Sequence, residues 1–345
     1  MSYSQGPTNL ITDVEGLMVG NAHDQGVRSG VTVILPTEPA VAAVDVRGGG
    51  PATRETDALD PSCIVDAIHG LVLAGGSVFG LDASSGVTQW LSERGRGFIF
   101  REQPRACPVV PQASLFDVLN GGDKSWKGES PYRALALAAC ETAASTFSLG
   151  NAGAGYGALA GRYKGGLGST SAIYEGLTVG ALTAVNPFGS PVIPGTDRFW
   201  AHAYEIDGEF GGRGGPIGTL PAQARSLTAE TKADLITESA AAGANTTLAV
   251  VATDARLTPA EAKRLAIMAS DGMARALRPI HTPFDGDIVF ALATGRREIR
   301  EPRPFVLAML GSLAADCLAR AIARGVYAAE DLGPWRSYRS IHPGS

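Results

Sequence analysis

The stretch GANTTLAVVATD at residues 243–254 places a short polar segment directly before a long apolar one. Asn245, Thr246 and Thr247 precede a run of Leu, Ala and Val that continues to Ala252, which is typical of a buried strand. Nothing in the polar segment caps a helix. Two interpretations are open: a turn that leads into the strand, or a bond that is cut so that Thr246 becomes a new N-terminus.

The chain on both sides of this stretch alternates between strand-like and helix-like segments. Thr258, Pro259 and Glu261 form a capping box, which predicts a helix start. Because hairpin-like pairs are frequent, we expect a layered α+β sandwich over residues 1–345 rather than a doubly wound sheet. Strands are predicted at about 29–36, 40–50, 69–76, 174–189, 246–252 and 287–294, and helices at about 78–95, 131–146, 259–277 and 303–325.

In other segments the apolar residues follow neither the helical nor the strand periodicity. Residues 104–131 are rich in Pro and Gly and predict a long irregular excursion, and residues 150–171 contain too much glycine for a helix. Residues 198–212 are interpreted as an edge hairpin. Residues 221–245 are interpreted as a polar linker with a helical middle.

Composition disfavours several classes of protein. With 45% hydrophobic and 18% charged residues, the 345-residue chain can bury a full core. A net charge of -5 without a basic stripe disfavours nucleic acid and membrane as partners. No apolar run approaches the roughly 18 residues of a spanning helix, and no secretory signal is recognisable. The four cysteines lie far apart without metal-ligand spacing, so we expect reduced thiols in a cytoplasmic protein.

Self-cleavage before Thr246 would place a nucleophile and a base on one residue. If its Oγ attacks the carbonyl carbon of Asn245, the peptide becomes an ester, which water opens to leave a free α-amine on Thr246. Such an amine has a pKa of about 7.7 to 8.0, so its neutral fraction can serve as general base for the hydroxyl. This chemistry needs no cofactor and no metal, and the five histidines form no visible triad.

Two acidic residues form a second candidate cluster. Asp285 and Asp287 flank a glycine just before a predicted strand, where residues i and i+2 share a face, so both carboxylates could orient an ammonium at one spot. An Asp-Gly turn with solvated carboxylates is the alternative, and a metal site with His281 is a weaker one. Lys164 and Asn186 lie at loop ends, where they could meet an oxyanion or be merely structural.

A glycine motif supports a rival class. GAGYGA at residues 153–158 matches the dinucleotide-binding fingerprint, and Glu175 follows Gly155 by 20 residues (175 minus 155). A dinucleotide-binding oxidoreductase is therefore the alternative function, although the glycines at 161–168 would break the helix that the fingerprint requires. A ring-forming structural protein without turnover is a further alternative.

Several stretches, in order along the chain, together resemble the DmpA-like family of self-processing aminopeptidases, the L-aminopeptidase/D-esterase group that includes the nylon-oligomer hydrolases. They are TDVEGLMVGNAHD, GVTVILP, VDVRGGGPATRETDALDP, LAGGSVFGLDASSGV, GNAGAGYG, YKGGLG, VNPFG and the segment from NTTLAVVATD to FALATG. The resemblance implies a four-layer α-β-β-α sandwich of the N-terminal-nucleophile type, cut into an α chain 1–245 and a β chain 246–345. It also implies a homo-oligomer, such as a tetramer, that hydrolyses small peptides, amino-acid amides or ω-amino acid oligomers.

The resemblance also implies residue roles. Thr246 matches the nucleophile and Asn245 the new C-terminus of the α chain. The remaining catalytic matches are Lys164, Asn186, Asp285 and Asp287, of which Asn186 matches the oxyanion hole. Phe116 and Tyr156 are expected to contact the substrate. The aminopeptidase members tend to show a Glu-x-Tyr-Asp-like stretch where this chain has Ser114, Leu115, Phe116 and Asp117. A strict requirement for a substrate α-amine is therefore not expected.

Overall fold

The computed structural model describes residues 3–102, 104–216, 218–233 and 245–344. A six-stranded sheet has the order β1-β10-β11-β12-β13-β4, a five-stranded sheet has the order β2-β3-β6-β7-β5, and β8 pairs with β9. The strands are β1 (Ser4–Gln5), β2 (Leu17–Asp24), β3 (Ser29–Pro36), β4 (Val41–Val46), β5 (Ala52–Arg54), β6 (Leu71–Ala74), β7 (Gln112–Ser114), β8 (Leu159–Ala160), β9 (Tyr163–Lys164), β10 (Leu167–Tyr174), β11 (Leu177–Asn186), β12 (Thr246–Ala255) and β13 (Ile288–Arg297).

The two sheets pack face to face, and helices cover both outer faces. Leu73 of the five-stranded sheet and Val250 of the six-stranded sheet share the apolar layer between the sheets. The helices α1 (Ala83–Glu93) and α2 (Tyr132–Glu141) cover the outer face of the smaller sheet. The outer face of the larger sheet is covered by α3 (Pro259–Ala269), α4 (Asp271–Ala276) and α5 (Arg303–Ala328). The architecture is thus the expected α-β-β-α sandwich. Helix α6 (Tyr338–Ile341) follows α5 in the chain.

Strand β12 shows why the opening stretch of sequence is so apolar. All ten of its residues are buried, because the strand lies inside the larger sheet and both of its faces are covered. Leu248 and Val250 face the layer between the sheets, whereas Ala249 and Val251 face the helices. The strand is antiparallel to β11 and parallel to β13. A strand buried on both faces loses the apolar-polar alternation that a half-buried strand shows.

The predicted capping box is confirmed, but the helix that it opens is shorter than expected. The Thr258 side chain accepts from the Glu261 backbone N–H, and Glu261 accepts in return from the Thr258 backbone N–H at 2.8 Å. The predicted single helix to residue 277 divides into α3 and α4 at Ser270, whose hydroxyl contacts Asp45 Oδ2 at 2.7 Å. The same hydroxyl also donates to the Ala266 carbonyl at 3.1 Å, and such bonding of a serine to the carbonyl four residues earlier often bends a helix.

The predicted edge hairpin at 198–212 is wrong. Its first part is a 3-10 helix, Trp200–Tyr204, and the rest is turns, so it does not extend either sheet. The buried Arg320 of α5 holds this segment through an ion pair from Nε to Glu209 Oε1 at 2.5 Å. In the predicted linker, Ala222–Arg225 forms a short 3-10 helix, and residues 234–244 lie outside the described residues.

Helix α5 contradicts the expectation that no segment is long and apolar enough to cross a membrane. It passes that test by length and composition. In the fold, however, 67% of its most apolar 18-residue window is buried, where Leu310, Ala314 and Leu318 pack in the core beneath the larger sheet. A mostly buried core helix is weak evidence for a membrane span.

Candidate active site

The predicted nucleophile lies at the edge of the larger sheet where β11 ends and β12 begins. Thr246 begins β12, and Asn186, the last residue of β11, is its direct cross-strand partner. The parallel neighbour β13 begins at Ile288, opposite Leu248, so Asp285 and Asp287 lie beside the start of β12. The sheet register thereby brings together residues from distant parts of the chain.

The bond before Thr246 is held by hydrogen bonds to its carbonyl. Thr246 is only 2% exposed, and its Oγ1 donates to the carbonyl oxygen of Asn245 at 2.5 Å. The same oxygen accepts from the backbone N–H of Gly286 at 2.8 Å. Two donors on one carbonyl stabilise negative charge on its oxygen. The hydroxyl of the predicted nucleophile and the Gly286 N–H thus lie at the same peptide group.

Asp287 anchors the start of β12. Its Oδ1 accepts from the Thr247 backbone N–H at 2.8 Å, and its Oδ2 accepts from the His281 backbone N–H at 3.0 Å. The His281 ring contacts that same Oδ2 through Nδ1 at 3.0 Å. This fully buried carboxylate therefore connects Thr247, the residue after the predicted nucleophile, to the loop that precedes β13.

Asp285 is also fully buried, which rules out the alternative of a solvated Asp-Gly turn. Its carboxylate accepts from Thr282 Oγ1 at 2.5 Å and from the Phe188 backbone N–H at 2.9 Å. Burial raises its pKa, and the neighbouring Asp287 raises it further. The two carboxylates bind different partners rather than one shared spot. Within the described ranges, no group of three His, Cys, Asp or Glu side chains is arranged to hold a metal ion.

Asn186 has its amide fixed on both sides. Its Oδ1 accepts from the Leu159 backbone N–H at 2.9 Å, and its Nδ2 donates to the Phe116 carbonyl at 3.0 Å. Since a backbone N–H can only donate, the first bond defines which amide atom is oxygen. The amide N–H₂ therefore faces Phe116 while the bond between Asn245 and Thr246 is intact.

Lys164 is a fully buried lysine in the same region. Its Nζ donates to the carbonyl oxygens of Gly165 at 2.7 Å and Gly155 at 3.1 Å. Burial lowers its pKa to about 7, and the charge of Asp117 partly offsets this effect. At neutral pH this side chain can accept or release a proton, which suits acid-base chemistry.

The two expected substrate contacts differ in their surroundings. Phe116 is half-buried, and its carbonyl contacts the Asn186 amide. Tyr156 is buried and stacks on the exposed ring of His23, with ring centroids 4.2 Å apart. Contact of either side chain with substrate stays a prediction.

Sequence reasoning missed Lys232. This buried lysine donates to the Asn186 carbonyl at 3.2 Å and to Asn186 Oδ1 at 3.1 Å. In the sequence it is a single lysine in the polar segment TAETKADL, where a solvated side chain is the usual interpretation. No sequence pattern distinguishes it, because its contacts come from the fold.

The role of Gly286 and of the glycines at 48–50 was also missed. The Gly50 backbone N–H donates to the Asp285 carbonyl at 2.8 Å, and a side chain at Gly48 would collide with the Asp287 backbone. This loop packs directly on the acidic segment. The run of three glycines in VRGGGP was a usable signal, since a close backbone approach is one reason for glycine.

Two buried polar atoms next to the bond between Asn245 and Thr246 have no hydrogen-bond partner among the described residues: Asn245 Nδ2 and Thr247 Oγ1.

The dinucleotide-binding alternative is wrong. Residues 153–155 form a short 3-10 helix, a turn follows, and β8 begins at Leu159. The fingerprint needs a strand before the glycines and a helix that starts at them. Instead, Gly153, Gly155 and Gly157 allow close backbone approaches, for example of Gly155 to Gly166 and Leu167.

The fold is a sandwich of the N-terminal-nucleophile type, and the family to which the chain belongs defines it as a hydrolase of peptide or amide bonds. The chain belongs to peptidase family S58, whose model matches residues 9–337. The predicted resemblance to the DmpA-like enzymes is therefore confirmed.

Curated relatives agree with this assignment. An uncharacterized aminopeptidase of Mycobacterium tuberculosis is 41% identical over 98% of this chain and 99% of its own length. The 6-aminohexanoate-oligomer endohydrolase of a Kocuria species is 31% identical over 84% of this chain and 76% of its own length.

Solved structures share the fold. The L-aminopeptidase D-Ala-esterase/amidase of Ochrobactrum anthropi matches with a TM-score of 0.69 at 24% identity, over 96% of this chain and 90% of that one. A Burkholderia β-aminopeptidase matches with a TM-score of 0.70 at 20% identity, with the same shares covered.

Proposed function

We propose that this chain cuts itself between Asn245 and Thr246 and then acts as an N-terminal-threonine amidohydrolase. The observation that supports this most is the Asn245 carbonyl, whose oxygen accepts from both the Thr246 hydroxyl and the Gly286 N–H. The products are an α chain that ends at Asn245 and a β chain of 100 residues (345 minus 245). Both stay in one folded domain because β12 pairs with β11 of the α chain.

The self-cleavage step exchanges one bond for another. Thr246 Oγ forms a bond to the Asn245 carbonyl carbon, the C–N bond breaks, and the hydroxyl proton goes to the leaving nitrogen. The Gly286 N–H stabilises the negative charge on the carbonyl oxygen in between. Water then adds to the resulting ester, which yields the Asn245 carboxylate and restores the Thr246 hydroxyl beside a free α-amine.

The mature enzyme uses the same residue on substrate. The neutral α-amine of Thr246 takes the proton of its own hydroxyl, and Oγ attacks the substrate carbonyl. The proton passes to the leaving amine, and water hydrolyses the acyl-threonine ester. Asn186, directly across from Thr246, donates to the oxyanion once its amide leaves the Phe116 carbonyl, and Lys164 assists with its near-neutral pKa.

Small amides and peptides are the proposed substrates, including ω-amino acid oligomers. Relatives named aminopeptidases and 6-aminohexanoate-oligomer endohydrolases support this range. Ser114, which stands where the aminopeptidases tend to have Glu, is buried and accepts from Gln112 Nε2 at 3.2 Å. No carboxylate at that position reads a substrate amine. We further propose a cytoplasmic homo-oligomer without cofactor.

Purified protein run on a denaturing gel, with intact mass and N-terminal sequencing, tests the self-cleavage. We expect two chains, with Thr246 first in the shorter one. Thr246→Ala should leave a single chain, because no nucleophile remains, whereas Thr246→Ser should still cleave.

Thr183→Val is the matched control. Thr183 lies on the neighbouring strand β11, and its buried hydroxyl also lacks a hydrogen-bond partner among the described residues. This variant should cleave as the unmodified chain does. Efficient cleavage of Thr246→Ala at the same bond would disprove the proposal.

A further inference from the structure

Lys232 is a buried lysine that the mechanism above does not use. Its backbone N–H donates to the Phe188 carbonyl at 3.0 Å, which fixes the residue beside the end of β11. Its Nζ lies 3.2 Å from the Asn186 carbonyl oxygen and 3.1 Å from Asn186 Oδ1. One ammonium thus holds both oxygens of the residue that faces Thr246.

The charged groups that act on Lys232 include both carboxylates beside the start of β12. Three carboxylates act on its ammonium, from Asp285 with the largest effect, then from Asp117 and Asp287. None of them lies within 4.0 Å of Nζ in the described part of the chain, so the ammonium balances the carboxylates without a direct ion pair. Burying a charge without a direct partner is unfavourable for stability. A role in the reaction explains why a lysine stands here.

The positive charge of Lys232 matters most before the chain is cut, while Thr246 has no free α-amine. Before cleavage, the nitrogen of Thr246 is a neutral peptide nitrogen, so it cannot balance Asp285 and Asp287. After cleavage it becomes an amine that carries a positive charge when protonated.

We propose that Lys232 is a positioning residue for self-cleavage: through Asn186 it fixes the end of β11 opposite Thr246, and it balances the charges of Asp285 and Asp287 until the new α-amine forms. This inference rests on the proposed function and adds a residue to it. Lys232 acts through Asn186 and the carboxylates rather than on the reacting atoms.

The sign of the pH effect follows from the surroundings. Burial lowers the pKa of Lys232 to about 7, and Asp285, Asp117 and Asp287 oppose that shift. Lys232 is charged below this pH and becomes neutral above it. Its contribution to the cleavage rate is therefore largest at low pH and decreases as the pH rises past about 7.

The test compares cleavage rates of Lys232→Gln and the unmodified chain, made by cell-free synthesis and followed by intact mass from pH 6 to 9. The ratio of the two rates isolates Lys232, because Lys164 is present in both chains. Hydrogen bonds to a charged group are stronger than neutral ones, so we expect Lys232→Gln to be about 10- to 100-fold slower at pH 6. The ratio should decrease by at least several-fold by pH 9.

A second lysine and a second variant complete the design. Lys263→Gln removes a surface lysine that also bonds a backbone carbonyl, that of Val44, and should cleave normally. Lys232→Arg keeps its charge throughout this range, so its rate relative to the unmodified chain should rise with pH. If Lys232→Gln fails to fold, the pH dependence of the Lys232→Arg rate tests the positioning role instead.

The outcomes separate this inference from the proposed function. If the unmodified chain never cleaves, both fail. If it cleaves and Lys232→Gln matches it within twofold, or is slower by a factor that does not change with pH, only the positioning role is overturned. A constant factor would indicate a merely structural lysine.

Discussion

Asn186 and Thr246 are directly paired across the antiparallel strands β11 and β12. Directly opposed residues have Cβ atoms about 4.5–5.5 Å apart, so an amide side chain and a hydroxyl side chain are held within reach of one substrate carbonyl. Both backbones belong to the sheet, and Asp287 fixes the next residue through the Thr247 N–H. Rigid strands position such a pair more accurately than loops do.

The pairing predicts a kinetic role for Asn186. Asn186→Ala, measured on chain that has already been cleaved, should lower kcat by about 10²- to 10³-fold with little change in KM, because an oxyanion donor acts mainly in the transition state. Steady-state kinetics on an amino-acid anilide measures this. Asn151→Ala is the control, since the Asn151 amide connects two segments at the surface through Glu330. A kcat within a few-fold of the unmodified enzyme would remove Asn186 from the mechanism.

Gly286 predicts a steric block of self-cleavage. A Cβ at this position would lie 2.6 Å from Thr246 Oγ1 and 2.8 Å from the Gly50 carbonyl oxygen. Gly286→Ala should therefore displace the hydroxyl or the carbonyl donor and slow cleavage strongly, with an overpacking cost of about 1–3 kcal/mol in the free energy of unfolding. The fraction of cleaved chain over time, from gel densitometry, gives the rate.

Gly214→Ala serves as the control for that variant. The nearest atom to a Cβ at Gly214 is the His202 carbonyl oxygen, at 4.0 Å, so it should be tolerated. If Gly286→Ala cleaves at the normal rate, the Gly286 N–H and the Thr246 hydroxyl do not have the roles assigned above.

Buried lysines predict how stability depends on pH. Burial lowers the pKa of Lys164 and of Lys232 to about 7, whereas an unfolded lysine titrates at about 10.4. Between these values the unfolded chain binds more protons, so the free energy of unfolding rises with pH; this contribution is lost as the pH falls through about 7. One lysine contributes a slope of up to about 1.4 kcal/mol per pH unit.

Urea unfolding at pH 7, 8 and 9 measures this slope on the Thr246→Ala chain, which stays whole. Adding Lys164→Met should reduce the slope by up to one lysine's share, whereas adding Lys263→Met, at a surface lysine, should leave it unchanged. An unaltered slope in the Lys164→Met chain would show that this lysine keeps an ordinary pKa in the fold.

The surroundings of Phe116 predict a broad substrate range. Ser114 is buried, and the carboxylate of Asp117 is occupied by Ser29 Oγ at 2.7 Å and by the Gly76 N–H at 2.8 Å. No free carboxylate on this segment can bind a substrate ammonium. A 6-aminohexanoate oligomer and an N-acetylated alanine anilide should therefore have kcat/KM values comparable to that of free L-alanine anilide. Exclusive turnover of the free anilide would identify another residue as the amine-binding group.

Local sequence determined those elements whose physics is local. The capping box at Thr258 needs residues only three positions apart, and the apolar run after Thr247 marks β12 because a strand buried on both faces has no polar side. The same local pattern predicted that Thr246 lies at the start of a strand. The edge hairpin predicted at residues 198–212 was wrong because tertiary contacts, chiefly that of Arg320 with Glu209, determine the conformation of this segment.

Only the tertiary structure decided what surrounds Thr246. The register that pairs Asn186 with Thr246 spans 60 residues (246 minus 186), and the carboxylates of Asp285 and Asp287 are directed by loops rather than by their i, i+2 spacing. Lys232 resembles a solvated lysine in sequence and becomes part of the site by burial beside β11. Such contacts arise from strand pairing and packing between distant segments, which no local pattern of residues encodes.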